Sequence, residues 1–120
     1  MNPRRIGAIF TPDRPPEDFR HAVQLAEASG MDELWVWEDC FRESAFAAAT
    51  AALAWSERIQ VGIGIAPMPL RNVALTAMEI ATIERMFPGR LLPGLGPRRA
   101  SPRTVEQAGR VRQDRSGIAH

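Results

Sequence analysis

The sequence contains no lysine and no tyrosine, and it holds a single cysteine, Cys40. One cysteine excludes an internal disulfide and any multi-cysteine metal centre. It also fits a reducing compartment, so the chain is expected to be cytoplasmic. No apolar run approaches the ~20 residues that span a bilayer, and no membrane partner is expected. The opening residues, Met1 to Ile6, carry two arginines with no apolar stretch behind them, so a signal peptide is not expected. Histidine is scarce: His21 falls in a helical pattern and His120 is the last residue, and neither suits acid–base catalysis. No metal site is expected.

Every one of the fifteen basic residues is an arginine, and their distribution is uneven. Residues 1–97 hold nine arginines against twelve acids, a net of −3. Residues 98–120 hold six arginines against two acids, a net of +4. This final stretch has no aromatic residue and few large apolar ones, so it offers little surface to bury and is expected to be disordered. An arginine-rich tail also suits phosphates. Here the arginines are scattered with no aromatic between them for base stacking, so no nucleic-acid partner is expected. The apolar fraction of 45% and the charged fraction of 24% are those of an ordinary globular protein. At 120 residues the chain has room for one domain with a modest core.

The stretch Val61 to Asn72 organises the rest. Val61, Ile63 and Ile65 alternate with Gly62, Gly64 and Ala66, as in a buried strand with one small-residue side. Small residues let a second backbone or a flat ligand approach closely. The strand runs into a proline-rich loop and a helix start at Asn72. Ligands of parallel α/β folds bind at the carboxyl ends of strands, so Ile63 to Asn72 is the expected wall of any site.

The remainder repeats this pattern. Ile6 to Phe10 reads as a first strand, ended by Thr11-Pro12-Asp13. A helix follows from Pro15-Pro16-Glu17-Asp18, with Phe19, Ala22, Val23 and Ala26 at helical spacing and Gly30 at its end. Glu33 to Asp39 reads as a second strand closing on two acids, and Ser44 as the cap of an alanine-rich helix to about Trp55. The third helix is expected to bury Val73, Ala77, Ile80, Ile83 and Phe87. Pro88-Gly89 stops it before a fourth strand from Arg90 to Gly96.

The strands start about 28, 27 and 30 residues apart, the length of one βα unit. Such alternation predicts an α/β fold with a parallel sheet, either closed as a (β/α)₈ barrel or open and doubly wound. A closed barrel takes ~250 residues, so four units amount to half of one. The expected domains are a partial (β/α) barrel over residues 1–97 and a basic tail over 98–120.

Gly30-Met31-Asp32 stands before Trp35-Val36-Trp37-Glu38-Asp39, and Gly62 to Pro67 is followed by Arg71-Asn72. Glu79 to Thr82, Pro88 to Leu91 and Gly94-Leu95-Gly96 complete the set. Together these segments resemble the N-terminal half of the bacterial luciferase-like superfamily. The resemblance covers residues 5 to 96. It implies a luciferase-like TIM barrel, here four strands and three helices, of a flavin- or deazaflavin-dependent oxidoreductase. Its members are monooxygenases using O2 or enzymes transferring hydride. The implied cofactor is FMN or a deazaflavin coenzyme of the F-420 type, beside a small-molecule substrate.

The implied cofactor-binding residues are Glu38, Asp39, Ile63, Gly64 and Ala66. The family bulge in the third strand, often a non-prolyl cis peptide, would fall at Ile63–Gly64. Deazaflavin-using relatives pair an acid with a histidine at the end of the second strand. Here the pair is Glu38-Asp39, which removes an imidazole role and leaves the catalytic residues unassigned. Trp35 and Trp37 share one face of a strand and are expected to pack in the core or towards a helix. After Gly96 the family pattern ceases, which implies a truncated or out-of-frame end and an inactive short chain. The alternative is a non-catalytic half-barrel that self-associates or binds a protein through its open strand edges.

Overall fold

The computed structural model describes residues 4–39 and 42–97. Cys40, His120 and the basic tail lie outside the described residues.

The order of elements is β1 (Gly7–Ile9), α1 (Phe19–Ala28), β2 (Glu33–Val36), α2 (Ala45–Ala54), β3 (Gln60–Pro67), α3 (Val73–Met86) and β4 (Leu91–Gly96). Short 3₁₀ turns precede α1 at Pro16–Asp18 and α3 at Met68–Leu70. The four strands form one sheet in the order β1-β2-β3-β4, and every neighbouring pair is parallel. This is the arrangement that the alternating pattern predicts, with β1 and β4 as edges.

The turns into α2 and α3 are each fixed by a polar side chain. The backbone N–H of Ala47 donates to Ser44 Oγ at 3.4 Å, and that of Leu75 donates to Asn72 Oδ1 at 3.1 Å. Both caps satisfy amides that the first helical turn leaves unpaired. At the other helix ends, Gly30 and Gly89 adopt φ of 78° and 72°, a left-handed conformation in which a side chain is strained.

The core lies between the sheet and the helices. Leu34 and Val36 of β2 and Val61 and Ile63 of β3 pack with Phe46 and Leu53 of α2. The α1 residues Phe19 and Val23 close it at one side, Phe19 lying 4.8 Å from the ring of Phe10. Behind this core, Glu27 of α1 holds the α2–β3 connection. Its carboxylate accepts the backbone N–H groups of Glu57 at 2.9 Å and Arg58 at 2.6 Å. Partial burial pushes the Glu27 carboxyl up, but N–H donors from Glu57, Arg58 and Ile59 outweigh it and hold it below the usual glutamate value.

The third helix departs from the expected stripe. Ile83 is buried, and Ile80 and Phe87 pack partly against the core, but Val73 is 69% exposed and Ala77 is also exposed. The deepest residue of the helix is Thr76. Its hydroxyl donates to Asn72 O at 2.9 Å, so a polar residue is satisfied within the helix and occupies the line assigned to Ala77. Among the described residues no helix is long and apolar enough to cross a membrane.

Candidate functional site

The carboxyl ends of the strands bring together the end of β2, the end of β3 and the loop into α3. The ladder between β3 and β4 is regular through Ile63 opposite Pro93 and resumes at Ala66 opposite Leu95. β3 therefore holds one extra residue at Gly64-Ile65. The cis peptide bond lies there, between Gly64 and Ile65, one position later than the expected Ile63–Gly64. The shift follows the ladder: Ile63 is still paired in register, and the irregular stretch starts after it. The bulge leaves Ile65 O free to accept the backbone N–H of Glu38 at 3.3 Å. β4 passes so closely that a Cβ on Gly94 would stand 2.3 Å from Ile63 O, which makes glycine necessary at that crossing.

The five residues named as cofactor contacts do not share one surface. The side chains of Ile63 and Ala66 are fully buried in the core between sheet and helices. Gly64 is exposed. Asp39, half-buried, lies three residues beyond the end of β2. Glu38 is buried, and its carboxylate is turned away to Arg71.

Arg71 is the residue that inspection of the sequence left without a role. Its Nη1 donates to both carboxylate oxygens of Glu38 at 2.8 Å, and its Nη2 donates to both of Glu79 at 2.8 and 2.9 Å. Its Nε donates to Thr76 Oγ1 at 3.1 Å, and the guanidinium lies 4.3 Å from the centre of the Phe46 ring. A planar fork with five donors suits such paired recognition. Glu38 Oε2 also accepts the backbone N–H of Ala45 at 3.1 Å, which ties the start of α2 into the same cluster. Arg71 thus joins β2, α2 and α3 around the loop that follows the bulge. The readable signal was a lone arginine after an apolar loop, with an acid eight residues along the helix.

On the sheet face away from the helices, Trp35 takes a place that strand alternation does not specify. The indole lies flat across Gly62: a Cβ there would stand 2.4–2.6 Å from three ring atoms. The Nε1–H donates to Glu33 Oε2 at 2.8 Å, and Arg5 pairs with Glu33 Oε1 at 2.8 Å and donates to Gln60. So Trp35 lies neither in the core nor towards a helix, the two places expected for it; the Gly62 slot is open on the other face, and the ring fills it. Trp37 lies beyond the end of β2 and borders a hollow with Phe10, Phe19 and Val36, so the two tryptophans do not share a surface. His21 is exposed on α1. Among the described residues no group of three or more metal-binding side chains gathers.

The residues present fit one edge of a flat ring. Gly64 offers backbone without a Cβ on the open face, and its neighbour Ile65 accepts the backbone N–H of Glu38, the residue before Asp39.

The sequence pattern of the luciferase-like monooxygenases matches residues 3–116, which runs past Gly96, where the motif-by-motif resemblance ended. The chain is 30% identical over 92 residues to the 5,10-methylenetetrahydromethanopterin reductase of Methanolobus tindarius, covering 77% of this chain and 28% of that protein. The enzyme of the same name from Methanopyrus kandleri is also 30% identical over 92 residues, with 26% of its length covered. The structure of the coenzyme F420-dependent tetrahydromethanopterin reductase of Methanopyrus kandleri aligns with a TM-score of 0.73 and 28% identity. That alignment covers 88% of this chain and 30% of the other. A type II Baeyer–Villiger monooxygenase with FMN, the oxygenating constituent of 3,6-diketocamphane monooxygenase from Pseudomonas putida, shares the fold with a TM-score of 0.75 and 19% identity. It is matched over 88% of this chain and 32% of its own. The chain spans less than a third of each of these relatives. With a family match over nearly its whole length, the chain belongs to the luciferase-like monooxygenase family.

Proposed function

We propose that residues 4–97 form the ring-side half of a (β/α) barrel oxidoreductase that uses a deazaflavin or FMN. The observation that supports this most is the bulge at Gly64-Ile65, which stands at the carboxyl end of β3 and leaves Gly64 open. The likeness to methylenetetrahydromethanopterin reductases, and to the structure of a coenzyme F420-dependent tetrahydromethanopterin reductase, favours hydride transfer over oxygenation. In this reading Gly64 and Asp39 line the ring edge. Ile63 and Ala66 back the wall from the core, and Glu38 holds its shape through Arg71. A bound flavin or deazaflavin supplies two-electron chemistry at its ring. The chain supplies a fixed backbone surface, a carboxylate at Asp39, and a loop braced against movement. A phosphate-anchoring helix end has no assigned place in this half, so the isolated chain should hold the cofactor weakly.

Titrating FMN and a deazaflavin against the purified chain, with cofactor fluorescence as the readout, tests this. Saturable binding that Gly64→Val abolishes supports the reading. Binding that Gly64→Val leaves unchanged sinks the assignment of the bulge.

A second reading rests on the sheet edges. Ile9 of β1 is 62% exposed and Leu95 of β4 is 44% exposed, so both edges present apolar surface. Unpaired parallel edges favour association, and a concentration-dependent elution volume in size-exclusion chromatography would support self-association.

A further inference from the structure

We propose that Trp35 is the floor of the ring-binding cleft, so that Gly64 is the deepest backbone a planar aromatic cofactor reaches. This rests on the reading that the open face of β3 receives such a ring. The alternation of β3 provides two glycines on that face, Gly62 and Gly64, and both look equally open in the sequence. They are not equal in the fold. The Gly62 position is filled by the indole, which leaves no room there even for a methyl group. Gly64 lies one step further along the strand, and a Cβ on it would stand 3.2 Å from Trp35 Cε3. A ring sliding down the open face therefore passes Gly64 and then meets the benzo edge of Trp35.

The indole is also held in place. Its face rests on Gly62, and its Nε1–H is fixed by Glu33, whose second oxygen is paired with Arg5. Swinging it aside would break a hydrogen bond at a charged acceptor and uncover the glycine backbone. Aromatic rings attract one another in offset and edge-to-face arrangements, so this floor favours an aromatic tricycle over an aliphatic ligand. The other tryptophans are elsewhere. Trp37 borders the hollow near Phe10, and Trp55 packs edge-on to Phe19 with Arg20 over its ring.

That separation supplies the test. In the ¹⁵N-labelled full chain, the three indole N–H signals are assigned with Trp35→Phe, Trp37→Phe and Trp55→Phe. FMN is then titrated to millimolar concentration, with its own fluorescence anisotropy followed in parallel. The Trp35 signal should shift along the isotherm reported by the anisotropy, while the Trp55 signal stays in place. Trp35→Leu should weaken FMN binding by roughly threefold to tenfold, the worth of one aromatic contact, and Trp35→Phe should recover part of the loss. The dispersed Trp37 and Trp55 signals report that each variant is folded. Saturable FMN binding with a stationary Trp35 signal overturns the floor and leaves the cofactor reading intact. No binding by either readout overturns both.

Discussion

The two faces of β3 are built on opposite rules. On the helix side, Val61 and Ile63 are fully buried among the side chains of β2 and α2. On the other side stand glycines, one covered by Trp35 and one exposed. The first face holds the sheet to the helices through apolar area removed from water. The second contributes little area, and its contacts are directional: the Arg5–Glu33–Trp35 chain fixes a ring where a shapeless apolar filling would leave it loose. The difference teaches how one strand serves stability and a site together. Large residues at alternate positions carry the fold, and small ones between them keep space for a side chain or a ligand.

Substitutions on the two faces should separate these roles. Ile63→Ala should have the largest effect, a loss of about 2–5 kcal/mol read from chemical denaturation, because it leaves a cavity in a fully buried position. A loss below that range would mean that the helix-side face is less tightly packed than its burial implies.

Gly62→Ala comes next. The added methyl would stand within 2.6 Å of the indole, and overpacking of this kind costs about 1–3 kcal/mol. Pairing it with Trp35→Leu should recover most of that loss. Failure of the double variant to recover would show that the strain lies in the backbone of β3 and not in the ring.

The smallest effect is expected away from β3, at Glu27. Its carboxyl is held below the usual glutamate value, so it contributes stability at neutral pH that fades as pH falls from that value through the lowered one. Glu27→Gln should therefore flatten the acid limb of the stability curve and change little near pH 7 in slope. An unchanged acid limb would mean that the amides of Glu57 and Arg58 find equal partners without the charge.

Much of the fold was legible because its signals are local. The spacing of the βα units, the caps at Ser44 and Asn72, and the glycines at 30 and 89 depend on neighbours along the chain. The site was less legible because its determinants are not local. Strand alternation could say that Trp35 opposes Leu34, but not that a glycine on the next strand would make room for its ring. The resemblance implies a cofactor contact at Glu38, and its bond to Arg71 is not legible because that partner comes 33 residues later. Helical spacing makes Val73 a core position, but Thr76 carries the burial with its hydroxyl satisfied inside the helix. The bulge falls one residue beyond the implied Ile63–Gly64, because the ladder to β4, which locates it, has no signature in β3 alone.

The span from Glu38 to Arg71 has a consequence for the order in which the molecule assembles. Between the two residues the chain runs through α2 and β3, and β3 lies beside β2. Contacts between residues distant in sequence form after the loop between them has closed. The Arg71 cluster is then expected to set late in folding, and interactions absent from the folding transition state act mainly by slowing unfolding. The loop beyond the bulge would owe its persistence to a slow release rate, so that the mouth stays shaped between encounters with whatever it receives.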